Sequence, residues 1–331
     1  MEIAVFSSTP YERRYLDEAN TNGHHGLNFF EVPLTIESAG LATGYPAVCI
    51  FVNDRADAQV LEALQRGGTR LVALRCTGFN NVDLEAAARL GMKVVRVVDY
   101  SPNSVAEHAV ALLLAVNRKI HRAYNRTRDS NFSLDGLIGF DLTGKTVAVV
   151  GTGKIGRVFS KIMLGFGCEV IGYDPMPSPE FEALGARYAA PGEIGERADV
   201  ISLHCPLTPV THHIINAETL ARAKPGALLI NTSRGALIDT EAVIEALKSG
   251  QLGGLAIDVY EQEATLFFRD LSSVVIADDL IQRLVSFPNV IVTGHQAFLT
   301  REALTTICET TLQSATAFEQ GQTLENEIKA P

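Results

Sequence analysis

Three stretches late in the sequence end in side chains that can do chemistry. Arg234 follows "ALLINTS", Asp258, Glu261 and Glu263 follow "LAI", and His295 follows "VIVTG". An arginine can bind a carboxylate through two parallel hydrogen bonds, and a histidine can donate a proton to a carbonyl oxygen as hydride reaches the carbon. An acid on the other ring nitrogen fixes the tautomer and favours the imidazolium. An arginine, a histidine and an acid arranged in this way can support the reduction of a 2-oxo acid by hydride. The spacing leaves open whether Glu261 or Glu263 is the acid that bonds the histidine.

Each of these residues also has a structural interpretation. A histidine at a strand end can bond a neighbouring carbonyl, and Arg234 can cap a helix or pair with a surface acid. Glu261 and Glu263 lie in a charged loop, where either is expected to be solvated. The catalytic interpretation is favoured because an upstream pattern predicts a nucleotide cofactor, and hydride transfer to a carbonyl needs a proton donor.

That upstream pattern is "KTVAVVGTGKIG", in which a strand-like run meets Gly151, Gly153 and Gly156 and a helical pattern begins. Glycines at this spacing allow a tight turn and a close approach of the backbone to a pyrophosphate at the helix N-terminus. The next strand-like run ends at Asp174, near the offset of about 20 residues expected for an acid that binds a ribose. The pattern therefore predicts NAD rather than NADP, since a carboxylate repels a 2′-phosphate.

Short apolar runs alternate with helical patterns along the whole chain, which is typical of parallel strands buried on both faces. The runs are "EIAVF", "AVCIF", "LVALR" and "KVVRV", then "TVAVV", "EVIGY", "DVISL", "ALLIN", "LAID" and "VIVTG". Two such series predict an α/β protein with two doubly wound, Rossmann-like domains. Ligands of such sheets bind beyond the carboxyl ends of the strands, where the candidate side chains lie.

Two long helical patterns, residues 104–126 and 299–321, are interpreted as the crossings between the domains, although two ordinary surface helices fit the pattern equally well. With that interpretation, residues 1–101 and 297–331 form a discontinuous, flavodoxin-like substrate domain. Residues 102–296 form the central cofactor-binding domain.

The composition fits a protein of the cytoplasm. Of 331 residues, 47% are hydrophobic and 20% are charged, and no apolar stretch is long enough to predict a membrane span. The formal net charge of −10 argues against nucleic-acid binding. Five dispersed cysteines predict reduced thiols rather than disulfides. His204, His212 and His213 match no standard zinc spacing, so no metal site is expected.

The chain resembles the D-isomer-specific 2-hydroxyacid dehydrogenases from end to end, and within them it is most similar to the bacterial fermentative D-lactate dehydrogenases. The matching stretches are "AVCIFVND", "RCTGFNNVDL", "AEHAVALLL", "RTRDSNFSLDGL", "GTGKIG", "DVISLHCPLT", "NTSRGALID", "DVYEQE" and "TGHQAFLT". "NTSRGALID" and "GHQAFLT" are the most specific. The long segment between Glu263 and His295 resembles the lactate branch.

The resemblance implies that Arg234 binds the substrate, that His295 donates the proton and that Glu263, rather than Glu261, is the partner of the histidine. It also implies an NAD site. The cofactor contacts that it implies are Gly151, Gly153, Lys154, Ile155, Gly156, Asp174, Cys205, Pro206, Thr211, Thr232, Ser233, Arg234 and Asp258.

In the first domain the resemblance implies that the backbone of Cys76, Thr77 and Gly78 holds the substrate carboxylate, and that Tyr100 and Phe298 line the pocket. The implied activity is NAD-dependent reduction of pyruvate to D-lactate by a homodimer or larger homo-oligomer that pairs through the NAD domain. A reductase of a larger 2-oxo acid, such as 2-oxoisocaproate or phenylpyruvate, is an alternative. A more distant one is an NADH-responsive corepressor that binds peptide motifs.

Overall fold

The computed structural model describes residues 1–330 and divides the chain into two compact units. The first unit comprises Met1–Ser101 with residues 299–330, and the second comprises Pro102–Phe298. Residues 297 and 298, expected in the substrate domain, belong to the second unit, where the Ala297 N–H donates to Asp258.

The first unit contains a five-stranded parallel sheet. In chain order its elements are β1 (Glu2–Val5), α1 (Pro10–Ala19), β2 (Gly26–Phe29), β3 (Ala47–Ile50), α2 (Ala58–Arg66), β4 (Leu71–Leu74), α3 (Leu84–Arg89) and β5 (Lys93–Val95), with 3₁₀ turns at Thr21–Gly23 and Ala39–Ala42. The strand order is β2-β1-β3-β4-β5. The apolar strands β3 and β4 are buried at every residue. This order is that of a flavodoxin-like doubly wound sheet.

The second unit contains a seven-stranded parallel sheet. Its elements are α4 (Pro102–Asn117), α5 (Ile120–Arg128), β6 (Thr146–Val150), α6 (Lys154–Gly165), β7 (Glu169–Tyr173), α7 (Pro179–Glu182), β8 (Arg187–Tyr188), α8 (Pro191–Arg197), β9 (Val200–Leu203), α9 (Ala217–Ala221), β10 (Ala227–Asn231), α10 (Thr240–Ser249), β11 (Leu252–Ile257), α11 (Asp279–Ser286) and β12 (Val290–Val292), with 3₁₀ turns at Gly235–Leu237 and Glu263–Thr265. The order β12-β11-β10-β9-β6-β7-β8 reverses between β9 and β6, which is the Rossmann switch point.

The last helix, α12 (Arg301–Glu319), returns to the first unit and packs against α1. Its start is fixed by Thr300, whose hydroxyl accepts a hydrogen bond from the Ala303 N–H. Side chains at other helix starts act in the same way, among them Thr9, Asp57 and Asp83 in the first unit.

The long helix predicted over residues 104–126 is two helices in the structure. The chain breaks between α4 and α5 at Lys119, whose φ of 52° is left-handed. The Asn117 side chain bonds both backbone groups of Phe140, accepting from its N–H at 3.0 Å and donating to its carbonyl at 2.8 Å. The sequence has no glycine or proline at this break, so the pattern could not indicate it.

Two strands lie outside the predicted series. Strand β2 is a half-buried edge strand, and β8 has only two residues, so neither carries a continuous apolar run. Within residues 1–330, no helix is both long and apolar enough to cross a membrane.

Candidate active site

His295 lies three residues beyond β12 and is bonded to Glu263. Its Nδ1 is 2.9 Å from Glu263 Oε1, and both side chains are largely buried. The other carboxylate oxygen, Oε2, accepts a hydrogen bond from the Tyr260 N–H at 2.9 Å, which fixes the glutamate. Nδ1 is thereby oriented toward the protein, and Nε2 is left for a substrate.

Glu261, the other candidate partner from the sequence, is bonded elsewhere. Its Oε1 is 2.7 Å from His213 Nε2, and its Oε2 accepts from the Thr240 hydroxyl at 3.2 Å. The two glutamates therefore support different histidines, and the structure brings only Glu263 to His295.

Asp258 holds the loop that carries His295. Its carboxylate accepts hydrogen bonds from the N–H groups of Gln296 and Ala297 at 2.9 and 2.8 Å, and from the Thr293 hydroxyl at 2.5 Å. Its backbone carbonyl accepts from the His295 N–H at 2.7 Å. The φ of His295 is 54°, a left-handed conformation that is strained for a histidine and persists where surrounding bonds impose it.

The Asp258 carboxylate is completely buried and has a lowered pKa. Burial alone would raise this pKa, but the hydrogen bonds from His108, Thr293 and the two backbone N–H groups outweigh it. Asp258 is thus an anion held inside the second unit. The family resemblance implied that Asp258 contacts the cofactor, and it did not indicate this supporting role.

His108 is a second histidine near this loop that sequence reasoning missed. It projects from α4, with Nε2 3.2 Å from the Thr293 hydroxyl and 3.4 Å from Asp258 Oδ1. The Thr293 hydroxyl donates to Asp258, so the Nε2–H of His108 is a donor shared between the Thr293 oxygen and Asp258 Oδ1. The available signal was a histidine inside the otherwise apolar helix pattern "AEHAVALLL".

Phe268 is another neighbour of His295 that the sequence did not indicate. The two rings are tilted with centroids 5.9 Å apart. Phe268 comes from the long segment between Glu263 and His295, so that segment contributes an aromatic wall beside the candidate proton donor.

Arg234 follows β10, and its half-buried guanidinium donates to the carbonyl of Ser233 at 2.7 Å. The Asn231 side chain donates to the Arg234 carbonyl at 2.8 Å and fixes the turn. Among residues 1–330, no carboxylate lies within ion-pair distance of Arg234, so its charge is available to an anionic ligand. Strands β10, β11 and β12 are parallel neighbours, and Arg234, Asp258 and His295 all follow their carboxyl ends.

The glycine loop has the geometry of a phosphate cradle. Gly151 has a φ of 94°, and a Cβ there would lie 2.6 Å from the Cys205 backbone N. A Cβ on Gly156 would lie 2.1 Å from the Gly151 carbonyl oxygen. Helix α6 starts at Lys154, no side chain caps this start, and the positive end of the helix dipole favours an anion there. The loop therefore fits a dinucleotide pyrophosphate.

Asp174 lies at the end of β7, opposite this loop. Its carboxylate accepts hydrogen bonds from the Thr152 and Met176 N–H groups at 2.8 and 2.9 Å. A cavity of about 340 Å³ with mainly apolar walls lies beside Tyr173, the residue that precedes Asp174. The wall includes Val150, Tyr173, Ile194, Ile201, Ile214 and Leu220. The size and apolar character of this cavity suit an aromatic ring.

The remaining cofactor candidates border the same strand ends. Thr232 is buried and Ser233 donates from its hydroxyl to the Leu203 carbonyl at 3.0 Å. Burial raises the pKa of Cys205 to about 11, so its thiol is neutral. The Thr211 hydroxyl donates to the Pro206 carbonyl at 2.7 Å.

In the first unit, the loop of Cys76, Thr77 and Gly78 follows β4. The Cys76 carbonyl accepts from the Val97 N–H at 3.1 Å, and the Thr77 carbonyl accepts from Arg96 Nη1 at 2.9 Å. The N–H groups of Thr77 and Gly78 have no hydrogen-bond partner within residues 1–330. Tyr100 is half-buried in this unit, and Phe298 is half-buried in the other.

Two other groups of side chains have ligand spacing for a metal ion. They are His24, His25 and Glu319 in the first unit and His212, His213 and Glu261 in the second. In each group a histidine already bonds the glutamate, at 3.0 Å for His24 and 2.7 Å for His213. Neither group includes His295 or its partner.

The comparisons with a family model, with known proteins and with solved structures agree with one another. Residues 110–297 match the family model described as D-isomer specific 2-hydroxyacid dehydrogenase, NAD binding domain. The chain is 51% identical to the D-lactate dehydrogenase of Escherichia coli over 99% of its length and 100% of that protein. A solved structure described as the pyruvate reductase of Chlamydomonas reinhardtii is 45% identical, with a TM-score of 0.95 and 98% of each chain covered. A D-2-hydroxyisocaproate dehydrogenase is 30% identical, with a TM-score of 0.87 and complete coverage of both chains.

Proposed function

The chain belongs to the D-isomer-specific 2-hydroxyacid dehydrogenase family, and we propose that within it the protein is an NAD-dependent D-lactate dehydrogenase that mainly reduces pyruvate. The observation that carries this proposal is the bond of 2.9 Å between His295 and Glu263. It lies at the strand edge that also carries Arg234 and the glycine loop.

The proposed mechanism assigns one task to each side chain. Arg234 binds the carboxylate of the 2-oxo acid through two parallel hydrogen bonds and orients its carbonyl. Bound NADH supplies the hydride for carbon 2. His295 donates its Nε2 proton to the carbonyl oxygen, so that the C=O group becomes a C–H and an O–H. Glu263 keeps Nδ1 protonated throughout, and the imidazole left neutral at Nε2 regains a proton from water.

The residues around the glycine loop are assigned to the cofactor. The N-terminus of α6 binds the pyrophosphate, and Asp174 accepts hydrogen bonds from the ribose hydroxyls. The apolar cavity beside Tyr173 holds the adenine ring. A carboxylate at this position disfavours a 2′-phosphate, which supports NAD as the cofactor. Residues 232–234, Cys205, Pro206, Thr211 and Asp258 complete the proposed cofactor site.

Pyruvate is proposed as the substrate on two grounds. The chain shares 51% identity with the E. coli D-lactate dehydrogenase but 30% with the D-2-hydroxyisocaproate dehydrogenase. Phe268 lies beside His295, and we propose that it limits the space available to a substrate side chain. The N–H groups of Thr77 and Gly78 are proposed as further ligands of the substrate carboxylate, and Tyr100 and Phe298 as walls of the pocket.

We also propose that the protein works in the cytoplasm as a homodimer or larger homo-oligomer that pairs through the NAD domain, and that it does not bind nucleic acid. The net charge of −10 supports the last point.

A substrate panel tests the proposed function. NADH oxidation is followed with pyruvate, 2-oxobutyrate, 2-oxoisocaproate, phenylpyruvate, glyoxylate and hydroxypyruvate, and the product is resolved on a chiral column. The expected result is the highest kcat/KM for pyruvate, with D-lactate as product. A preference for a bulky 2-oxo acid would keep the mechanism and change the substrate. Binding of NADH without turnover of any substrate would contradict the proposal and favour a corepressor.

A further inference from the structure

Arg96 directs its guanidinium at the backbone of the loop formed by Cys76, Thr77 and Gly78. It follows β5, and its Nη1 donates to the Thr77 carbonyl at 2.9 Å. The guanidinium also lies over the Phe79 ring, 4.8 Å from its centroid. Within residues 1–330, no carboxylate pairs with Arg96. The half-buried guanidinium of Arg96 therefore has a peptide carbonyl, rather than a carboxylate, as its hydrogen-bond acceptor.

This contact fixes the direction of two N–H groups. In a planar trans peptide, the carbonyl and the N–H that follows it point in opposite directions. The Cys76 carbonyl points at the Val97 N–H, so the N–H of Thr77 points away from Val97. The Thr77 carbonyl points at Arg96, so the N–H of Gly78 points away from Arg96. Both N–H groups therefore point away from the groups that bond the two carbonyls, and successive backbone N–H groups of this kind can bind an anion.

The charge of Arg96 also strengthens the second of these donors. A hydrogen bond from a guanidinium is charge-assisted, and it draws electron density from the peptide group that it contacts. The N–H at the other side of the same peptide group becomes a better donor, as in any chain of polarised hydrogen bonds. The positive charge of Arg96 therefore strengthens the hydrogen bond that the Gly78 N–H donates to an anion bound by the loop.

We propose that Arg96 is a positioning residue for substrate binding, which orients and polarises the Thr77–Gly78 peptide so that the loop binds the carboxylate of the 2-oxo acid. The inference depends on the proposed function, which assigns these N–H groups to the substrate. The backbone around Arg96, directly after β5, is held independently of the Arg96 side chain. The Arg96 N–H donates to the Asn326 carbonyl at 3.1 Å, and the Ile328 N–H donates to the Val94 carbonyl at 2.8 Å.

The test compares Arg96→Met with Arg96→Lys. Methionine keeps an apolar stem over Phe79 but removes the donor and the charge. We expect KM for pyruvate to rise about tenfold or more, because a hydrogen bond from a charged group is lost. The value of kcat should stay within about twofold, and the Kd of NADH should not change, because the cofactor residues lie elsewhere in the chain. Lysine keeps a charge and a donor, so it should restore part of the pyruvate affinity.

Arg70→Met is the matched control. Arg70 lies in the same unit and its Nη1 also donates to backbone carbonyls, those of Gln65 and Thr69 at 3.1 and 2.9 Å. It lies at the opposite end of β4, so this variant should keep the wild-type KM. Methyl pyruvate provides a second control, because it lacks the carboxylate charge. Its KM should change much less than that of pyruvate in Arg96→Met.

The outcomes separate this inference from the proposed function. An unchanged pyruvate KM in Arg96→Met, with the wild type active, would overturn the role of Arg96 and leave the dehydrogenase assignment intact. An equal rise in KM for Arg70→Met, or for methyl pyruvate, would overturn it as well, because the effect would then be general. A wild type that reduces no 2-oxo acid would remove both. If Arg96→Met does not fold, Arg96→Lys takes its place as the test. A point charge cannot keep the guanidinium geometry. A folded Arg96→Lys variant with the wild-type KM for pyruvate and the wild-type salt dependence of that KM would therefore also contradict the proposal.

Discussion

At His295, the proposed proton donor is carried by a backbone that few side chains tolerate. Its φ of 54° is held by the bonds of Asp258 to the N–H groups of residues 295–297. Asparagine tolerates this conformation well, so His295→Asn removes the proton donor with little disturbance of the loop. A general acid contributes about 10²–10⁴-fold, and kcat for pyruvate reduction should fall by that order.

The Kd of NADH separates this effect from a damaged site. It should stay within about twofold of the wild-type value in His295→Asn, as measured by the fluorescence of bound NADH. Retention of kcat within about threefold would show that another group protonates the substrate and would remove His295 from the mechanism.

The sequence indicates some of the residues at the candidate site and gives no sign of others. Arg234 and His295 could be found because each ends an apolar run, and parallel strands bring such ends to one edge. Spacing could not choose between Glu261 and Glu263, since both lie in the same loop and the outcome depends on side-chain directions. His108 and Phe268 were missed for the same reason. Their neighbours are distant in sequence, and no local pattern records a contact with Thr293 or His295.

At the scale of elements, the turn from β6 to α6 depends on two glycines that bring backbone against backbone. A Cβ on Gly156 would meet the Gly151 carbonyl oxygen at 2.1 Å, and no side-chain movement can relieve that contact. In Gly156→Ala the helix must move away from the loop. We expect the Kd of NADH to rise about tenfold or more and the free energy of unfolding to fall by about 1–3 kcal/mol.

Gly165→Ala is the control for this change. Gly165 lies in the same helix, and a Cβ there would meet no atom within 4 Å. Alanine should therefore leave NADH binding unchanged and raise the free energy of unfolding by about 0.5–1 kcal/mol, since helical alanine loses less backbone entropy than glycine. Equal NADH affinities in the two variants, measured by titration, would contradict the role assigned to the glycine turn.

The elements themselves were largely predictable because burial on both faces leaves a continuous apolar run, as in "TVAVV" and "ALLIN". The prediction of two doubly wound parallel sheets is confirmed. Strand β2 was not predicted because a half-buried edge strand needs no continuous apolar run. The break at Lys119 was not predicted because no glycine or proline marks it, and the Asn117–Phe140 contact beside it forms only in the tertiary structure.

At the scale of the whole molecule, acidification has two opposed effects on stability. The chain carries a formal net charge of −10 and has an isoelectric point near 5.3, so lowering the pH toward that value relieves repulsion between acids and favours the folded state. His204 acts in the other direction. Its ring packs against Phe159 with centroids 4.8 Å apart, its Nε2 is 2.8 Å from the Ser202 hydroxyl, and its Nδ1 is buried without a partner among residues 1–330. Burial lowers the pKa of His204 to about 3.

The sign of the His204 effect follows from proton binding. A histidine in the unfolded chain titrates near pH 6.5, so between about 6.5 and 3 the unfolded chain holds a proton that the folded chain does not. Stability therefore falls as the pH falls through this range, by about 1 kcal/mol between pH 7.5 and 5.5. This loss should be present in Ser202→Ala, which keeps the imidazole, and absent from the double variant Ser202→Ala with His204→Phe. Urea unfolding of the cofactor-free protein at the two pH values measures it. The same pH dependence in both variants would mean that the imidazole of His204 takes up its proton in the folded protein.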